Sequence, residues 1–369
     1  MKILLLANTD WYLYNYRLPL ALALQEKGAE VILVSPPGRY HEKLQQAGFR
    51  WLPVKISRRG ANPFLELAAV KNILRLYQKE KPDVAHHFTI KCVLYGSIAA
   101  KFAGVPVVIN AITGLGYVFY WKNLFTSLVR PLVKCLYRYS LRYTRVVFQN
   151  EDNRITFVSQ GLVKPEQTFL IPGSGVDVKR FVPIARKESI PLVVLPARML
   201  MDKGIKEFIE AGKAVEQSGI KTRFALVGDI DPGNPSSIPV ETLKSWLSEG
   251  GAEWWGWQDD MLSIYQRASI VCLPSYYGEG LAKSLIEGAA CGCALVATDI
   301  PGCREVVQHG KNGFLIPPRD SAALADAVKK ILEDDQLRKS MGEASRRLAI
   351  EVFDVNRIVE STIRIYDIE

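Results

Sequence analysis

Short runs of β-branched and aliphatic residues alternate with longer amphipathic stretches along the whole of this chain. That alternation constrains the fold more than any other feature, because it is the pattern of parallel strands covered on both faces by helices. Strand candidates fall at 2–7, 30–35, 50–56, 83–88, 105–111, 145–149 and 168–171, with helical stretches such as 15–27, 63–79 and 93–103 between many of them. A second series runs through 192–196, 223–227, 253–255, 270–273, 294–298 and 314–316. Between the two series the polar segment 183–191, with Pro183 and Pro191 at its ends, has no strong period and reads as a linker. At 369 residues the chain also exceeds one ordinary hydrophobic core. The expectation is therefore an α/β protein of two doubly wound, Rossmann-like domains, 1–182 and 192–352, facing across a cleft. Residues 353–369 are expected to form a C-terminal helix packing back toward the first domain. Ligands of such sheets bind beyond the carboxyl ends of the strands, so the residues just after strands are where function is sought.

Several classes drop out early. The apolar run from Ile3 to Ala7 is too short for a secretory signal, and Asn8-Thr9-Asp10 interrupts it. No uninterrupted apolar stretch reaches the roughly 18 residues of a spanning helix, so a soluble or peripheral protein is expected. Six cysteines, mostly within apolar patterns and without zinc-like spacing, read as buried reduced thiols of a cytosolic protein. The formal net charge of +9 favours anionic partners: nucleotide phosphates, nucleic acid or an anionic membrane leaflet.

The chemistry is concentrated in the segment from Tyr276 to Gly292, which follows the strand at 270–273 and opens a helix. Gly278 and Gly280 let the backbone approach a ligand. A helix beginning at Gly280 presents the amides of Leu281, Ala282 and Lys283 to phosphate oxygens. Glu279 then lies ahead of that phosphate, and Glu287 lies two helical turns farther on, on the ligand side. Two carboxylates flanking a phosphate-binding helix start suit a nucleotide sugar, whose ribose and transferred sugar offer hydroxyl donors. The alternative, a pair of solvated surface carboxylates, sits poorly with the surrounding Gly, Ala, Leu and Cys.

The run from Glu279 to Glu287, two glutamates with seven residues between, resembles the paired-glutamate motif of family-four retaining glycosyltransferases of the GT-B fold. The blocks 291–302 and 310–318 are similar to the same family's next two motifs. One departure is Gly280-Leu281-Ala282, where many members carry Gly-Phe-Gly; alanine still permits close approach, while the sugar pocket is expected to differ.

The resemblance implies that Arg198 and Lys203 grip the diphosphate, since preorganised cations stabilise charge growing on the leaving group. It implies that Glu279 orients the donor sugar and Glu287 the ribose, neither acting as nucleophile, with the acceptor attacking from the front face assisted by the leaving phosphate. No acidic cluster suggests a required ion, so neither a metal nor another cofactor is expected. The segment 253–257 falls where the family holds the nucleobase; Trp257 either stacks on a uracil or is a core or hinge aromatic. The strand end at His86 and His87 is where members present a histidine to the sugar, and adjacent strand residues face opposite ways, so either one, or a structural role for both, stays open. Lys91 is placed to meet an acceptor phosphate, and Gly114 and Gly116 to let backbone approach the substrates. The loop from Asn8 to Arg17, with Asn15 and Arg17, replaces the family's paired glycines and is expected to shape the acceptor side. It resembles the subset that builds lipid-linked oligosaccharides, including bacterial transferases adding an N-acetylhexosamine to an undecaprenyl-diphosphate sugar.

From Tyr117 to Arg145 aromatic residues interleave with Lys and Arg, and no Asp or Glu occurs. Lys134, Arg138, Arg142 and Arg145 recur at intervals of three or four, as along one helix face. Trp121, Lys122, Arg130, Lys134, Arg138 and Arg142 are accordingly candidates for contact with an anionic membrane surface, the alternative being an ordinary solvated basic face. No nucleic-acid motif accompanies the charge, so nucleic acid is not an expected partner.

The expected function is thus a retaining, metal-independent transferase moving a hexose or N-acetylhexosamine from a UDP-sugar to a polyprenyl-diphosphate-linked saccharide, on the inner face of the cytoplasmic membrane. A nicotinamide-dependent dehydrogenase shares the two Rossmann-like domains, but its Gly-x-Gly-x-x-Gly turn is absent after 2–7 and after 192–196. A non-catalytic sugar- or lipid-binding module remains the other rival.

Overall fold

The computed structural model describes residues 1–57, 62–114, 124–185, 190–276 and 278–366, with the backbone alone for 124–128. Gly116, Trp121 and Lys122 lie outside the described residues. The chain forms two compact units, one of Met1–Ser174 with Asn356–Glu369 and one of Gly175–Val355. Residues 175–182, assigned above to the first domain, thus fall in the second unit. Val176 and Val178 are buried in its core, and Val176 exchanges backbone hydrogen bonds with Phe353 (2.8 Å) and Val355 (2.9 Å). Apolar anchoring and backbone pairing, not the polar composition of the neighbouring linker, decide where that segment belongs.

The first unit is built on β1 (Lys2–Leu6), β2 (Glu30–Ser35), β3 (Arg50–Pro53), β4 (Val84–Phe88), β5 (Val107–Ile112), β6 (Arg145–Phe148) and β7 (Thr168–Leu170). Its sheet is parallel in the order β3-β2-β1-β4-β5-β6-β7. The helices are α1 (Asp10–Tyr12), α2 (Leu18–Glu26), α3 (His41–Gln46), α4 (Pro63–Glu80), α5 (Ile90–Ala103), α6 (Leu124–Leu141) and α7 (Glu151–Ser159). In α4, Asn62 caps the amide of Phe64 (3.0 Å) and Pro63 takes the first position, where its missing N–H costs nothing.

The second unit contains β8 (Leu192–Pro196), β9 (Arg223–Val227), β10 (Glu253–Trp254), β11 (Ile270–Leu273), β12 (Ala294–Thr298) and β13 (Gly313–Ile316), parallel in the order β10-β9-β8-β11-β12-β13. Its helices are α8 (Ile205–Gln217), α9 (Val240–Ser248), α10 (Met261–Arg267), α11 (Lys283–Ala290), α12 (Ser321–Glu333) and α13 (Asp335–Val352). A last helix, α14 (Val355–Arg364), begins at the unit boundary and leads to Tyr366 in the first unit. The central strands β4, β11 and β12 are buried along their whole length, as strands covered on both faces must be.

Both sheets reverse strand order next to their first strand, between β1 and β4 in one and β8 and β11 in the other. Loops following those strands diverge there and leave a crevice at the carboxyl edge. The sequence 7–17 and Thr89 therefore stand at one switch point, and 197–204, 274–276 and 278–282 at the other.

The helical stretch expected at 15–27 is broken. A π-helical turn, Leu13–Arg17, joins α1 to α2. Pro19 has no N–H to give the carbonyl of Asn15, so an unbroken α-helical ladder cannot pass this point.

Candidate functional site

In the second unit the chain leaves β8 through Arg198, makes a 3₁₀ turn at Met201–Lys203 and turns left-handed at Gly204 (φ +72°). A Cβ at Gly204 would come 2.2 Å from the carbonyl oxygen of Pro274, so only glycine lets this loop seat against the end of β11. The carbonyl of Asp202 then accepts from the amide of Tyr276 (3.0 Å) and the hydroxyl of Ser275 (3.0 Å). Thr298, at the end of β12, donates to the carbonyl of Ser275. The next loop closes in the same way: a Cβ at Gly302 (φ +88°) would lie 2.6 Å from Cβ of Glu279.

These close approaches bring the side chains of Lys203 and Glu279 together as an ion pair, 15% and 17% exposed. Arg198, about half exposed, is held 2.5 Å from Asp231 in the loop after β9. Burial raises the pKa of Asp202, against the lowering effect of Lys203, and its Oδ1 has no hydrogen-bond partner. On α11, Glu287 lies 3.9 Å from Lys283, one turn earlier, whose ammonium also donates to the carbonyl of Gly175. Burial raises the pKa of Glu287, opposed by Lys283, by a hydrogen bond with Tyr265 and by Arg180.

The start of α11 differs from the sequence expectation. Ala282 is the N-cap and the helix begins at Lys283, because the amide of Ala282 is given to the carbonyl of Gly302 (3.2 Å). The amides of Leu285 and Ile286 turn back to the carbonyl of Ala282, so the helix start passes from Gly280, Leu281 and Ala282 to Lys283 and Ser284. Sequence reasoning did not single out Ser284. Trp257 is 51% exposed, with its indole N–H on Asp259 (2.9 Å), which removes the core explanation for it. Trp254 and Trp255 instead pack against the cores.

Sequence reasoning also missed Asp231, the partner of Arg198, and Arg319, a non-glycine residue at φ +61° whose guanidinium lies 4.5 Å from the centre of the Tyr276 ring. The acidic loop Asp229–Asp231 after β9 was a signal for the first; nothing local marked the second.

In the first unit, alternation along β4 sends the two histidines to different surroundings. His87 is closed off: Nε2 meets the hydroxyl of Tyr77 (2.9 Å), Nδ1 meets Asn110 (2.8 Å), and the helix packs so tightly that a Cβ at Gly96 would lie 2.7 Å from the ring. Burial lowers its pKa to about 4, against the raising effect of Asn110. With both ring nitrogens engaged, His87 is a structural residue. His86, buried as deeply, lies 2.5 Å from the hydroxyl of Tyr366 through Nδ1 and 4.1 Å from Phe88, ring to ring. Burial, then the charge of Arg17, then His87 hold its pKa well below the ordinary value.

Asn15 is exposed and donates to the carbonyl of Trp11 (2.9 Å), whereas Arg17 is buried. Asp10 is buried too and accepts the amides of Trp11, Tyr40 and His41, so it staples two loops together. Lys91 is paired with Glu66 of α4 at 2.5 Å. Gly114 follows β5 by two residues.

The basic segment divides. Arg130 and Lys134 lie on α6 and line one shallow depression with Pro131 and Arg138. Arg138, however, gives its guanidinium to the carbonyls of Gly161 (3.0 Å) and Gln160 (2.9 Å). Helix α6 stops at Leu141, so Arg142 is beyond it, over the ring of Tyr143. Arg145 lies in β6 and donates to the carbonyl of Ile365. The four-cation helical face expected from spacing is therefore not formed, because the strand claims its last member and the helix end excludes Arg142.

Comparison with known proteins bears on this arrangement. Residues 2–150 match the family described as Glycosyl transferase 4-like, and residues 178–348 match that described as Glycosyl transferases group 1. The N,N'-diacetylbacillosaminyl-diphospho-undecaprenol alpha-1,3-N-acetylgalactosaminyltransferase of Campylobacter jejuni is 29% identical over 381 aligned residues, spanning 100% of this chain and 98% of the relative. The UDP-Gal:alpha-D-GlcNAc-diphosphoundecaprenol alpha-1,3-galactosyltransferase of Escherichia coli is 25% identical over 323, spanning 82% and 79%. Among solved structures, Anabaena HepE in complex with UDP-glucose matches with a TM-score of 0.79 at 20% identity, over 99% of both chains. A glycosyltransferase from Rickettsia africae matches with a TM-score of 0.79 at 20% identity, over 99% of this chain and 97% of that one. Those likenesses establish the fold.

Proposed function

Since the chain belongs to the family-four glycosyltransferases of the GT-B fold, we propose that it moves a hexose or N-acetylhexosamine from a UDP-sugar to a hydroxyl of a polyprenyl-diphosphate-linked saccharide, with retention. The observation that carries the reading is the pairing of Lys203 with Glu279 at the switch point of the second unit, beside the start of α11. Glu279 holds the ammonium in place before substrate arrives, so no reorganisation is needed when charge develops on the leaving diphosphate. Arg198 is exposed enough for a phosphate to compete with Asp231 for its guanidinium. Lys283 and Ser284 lead α11 toward the same anion, and Glu287 takes the ribose hydroxyls.

In the step itself the acceptor oxygen bonds to the anomeric carbon on the face from which the phosphate departs. The carbon–oxygen bond to the diphosphate breaks, and the hydroxyl proton passes to a leaving phosphate oxygen. Lys203 and Arg198 supply the positive field, so the reaction is metal-independent. Trp257, exposed on the loop after β10, flanks the base.

The acceptor's lipid requires access to a membrane. Among the described residues no helix is long and apolar enough to cross one; in this reading the contact is peripheral, on the anionic inner face of the cytoplasmic membrane. Arg130 and Lys134 on α6 support that reading. So do Phe64, Leu65 and Leu67 at the start of α4, which are 83%, 60% and 68% exposed.

The test is incubation with a panel of UDP-sugars and a short-chain polyprenyl-diphosphate saccharide, following UDP by chromatography and the new anomeric centre by NMR. UDP release coupled to an axial product, undiminished by EDTA, is the expected result. No turnover with any donor and acceptor, or parent-like turnover in Arg198→Ala, Lys203→Ala and Glu279→Ala together, would overturn the proposal.

A further inference from the structure

Arg17 ends the π-helical turn that leads into α2 and is only 5% exposed. Its Nη2 donates to the hydroxyl of Tyr12 (2.9 Å), and its guanidinium lies 4.3 Å from the centre of the Phe88 ring. Among the described residues no carboxylate forms a salt bridge with it, and its Nε has no acceptor. Taking a guanidinium out of water is costly without a counter-ion, and stacking on an aromatic face returns only part of that cost.

Two further polar atoms near Phe88 are in the same condition. His86, its ring tilted against that of Phe88, has no partner at Nε2, and the hydroxyl of Thr89, the next residue after Phe88, has none either. When Tyr366 donates to Nδ1 of His86, the neutral ring carries its proton at Nε2 and is a donor. Thr89 stands at φ +73°, a conformation unusual for a β-branched residue, and its side chain does not cap α5, the helix that starts immediately after it. One positive charge and three donor atoms without acceptors are thus gathered at the switch point of the first sheet, beside an uncapped helix N-terminus.

We propose that Arg17, His86 and Thr89 form an oxyanion subsite in the first unit that takes one phosphate of the acceptor's diphosphate. The assignment to the acceptor rests on the reading above, in which Lys203 and Arg198 of the second unit already serve the donor's diphosphate. Planar guanidinium binding fits a phosphate better than a carbonyl or a sugar hydroxyl, because it supplies charge as well as paired donors. Aromatic walls at Tyr12 and Phe88 exclude water from the same place and strengthen the interaction.

The experiment is calorimetric titration of inorganic diphosphate into the full chain saturated with UDP, which occupies the donor's site. The parent binds diphosphate at one additional site. Arg17→Met weakens that binding at least about tenfold, the least expected for losing a hydrogen bond to a charged group, and raises the acceptor KM while UDP affinity stays unchanged. Arg17→Lys restores part of the loss by keeping the charge, and His86→Gln, which alters a neutral donor, serves if Arg17→Met does not fold. Absence of diphosphate binding to the UDP-saturated parent, or undiminished binding in folded Arg17→Met, overturns the subsite. A loss of UDP affinity in Arg17→Met, with the acceptor KM unmoved, overturns the assignment to the acceptor by giving the oxyanion to the donor. Failure of the parent to bind UDP instead refutes the donor reading and leaves a diphosphate titration of the UDP-free protein to decide the subsite.

Discussion

Replacing Lys203 by methionine removes one charge while keeping most of the side chain's length and volume. Two consequences are separable. The first concerns folding: Glu279 keeps its carboxylate in a place only 17% exposed, without the ammonium that paired with it. Breaking a fully buried pair in this way costs about 3–5 kcal/mol, and the residual solvent contact here reduces the expected loss to about 1–3 kcal/mol. The second concerns the rate. A preorganised donor aimed at developing charge contributes about 2.7–4 kcal/mol, so kcat should fall by about 10²–10³-fold. Adding Glu279→Gln to Lys203→Met removes the negative charge that had faced the ammonium and should recover most of the stability, while the rate stays low or falls further. Chemical denaturation measures the first effect and steady-state UDP release the second. If Lys203→Met retains kcat within about threefold, the lysine is a structural partner of Glu279 and the mechanism is wrong. If the double variant regains both stability and rate, the carboxylate had inhibited the reaction, which is incompatible with its orienting the donor sugar.

Other outcomes follow from particular contacts. The pKa of His87 is lowered to about 4 from an ordinary 6.5, so the unfolded chain binds its proton first. Stability from this group is complete above about pH 6.5 and is lost progressively toward pH 4, by about 3 kcal/mol; denaturation midpoints at several pH values should fall accordingly, and a slope equal in parent and His87→Gln would refute the account. Gly302→Ala places a methyl 2.6 Å from Cβ of Glu279 at a backbone angle alanine resists; a rate loss with a modest stability loss of about 1–3 kcal/mol is expected, and parent-like turnover would show that the Glu279 loop tolerates displacement. Arg130→Gln with Lys134→Gln, and separately Phe64→Ser with Leu67→Ser, should each reduce sedimentation with anionic liposomes without changing UDP affinity. Equal sedimentation of both double variants and the parent would remove the membrane from the account.

Particular residues show how far local pattern reaches. Arg198, Lys203 and Glu279 could be singled out because each follows a strand of a recognisable parallel sheet in a segment that resembles the family's, and the sheet order carries the loops that hold them to one edge. Lys203 and Glu279 meet through contacts that no spacing encodes: Gly204 against Pro274, Gly302 against Glu279, and the carbonyl of Asp202 holding Ser275 and Tyr276. The same limit explains the displaced helix start. An amide given to Gly302, distant in sequence, outweighs the local signal of Gly280 and makes Ala282 the cap.

Strand and helix periodicity, the two-sheet architecture and the family motif are properties of short segments, so the sequence alone determined them. Burial and partnership depend on which distant segment arrives at each side chain, and only the tertiary structure decided those. It consumed Arg138 in carbonyl hydrogen bonds, drew Arg145 into a sheet and sealed His87 inside a polar network. It also buried Arg17 beside Phe88 with its Nε still unmet. The physical reason is that periodicity is written in nearest neighbours along the chain, whereas the cost of burying a charge or a polar atom is set by neighbours in space.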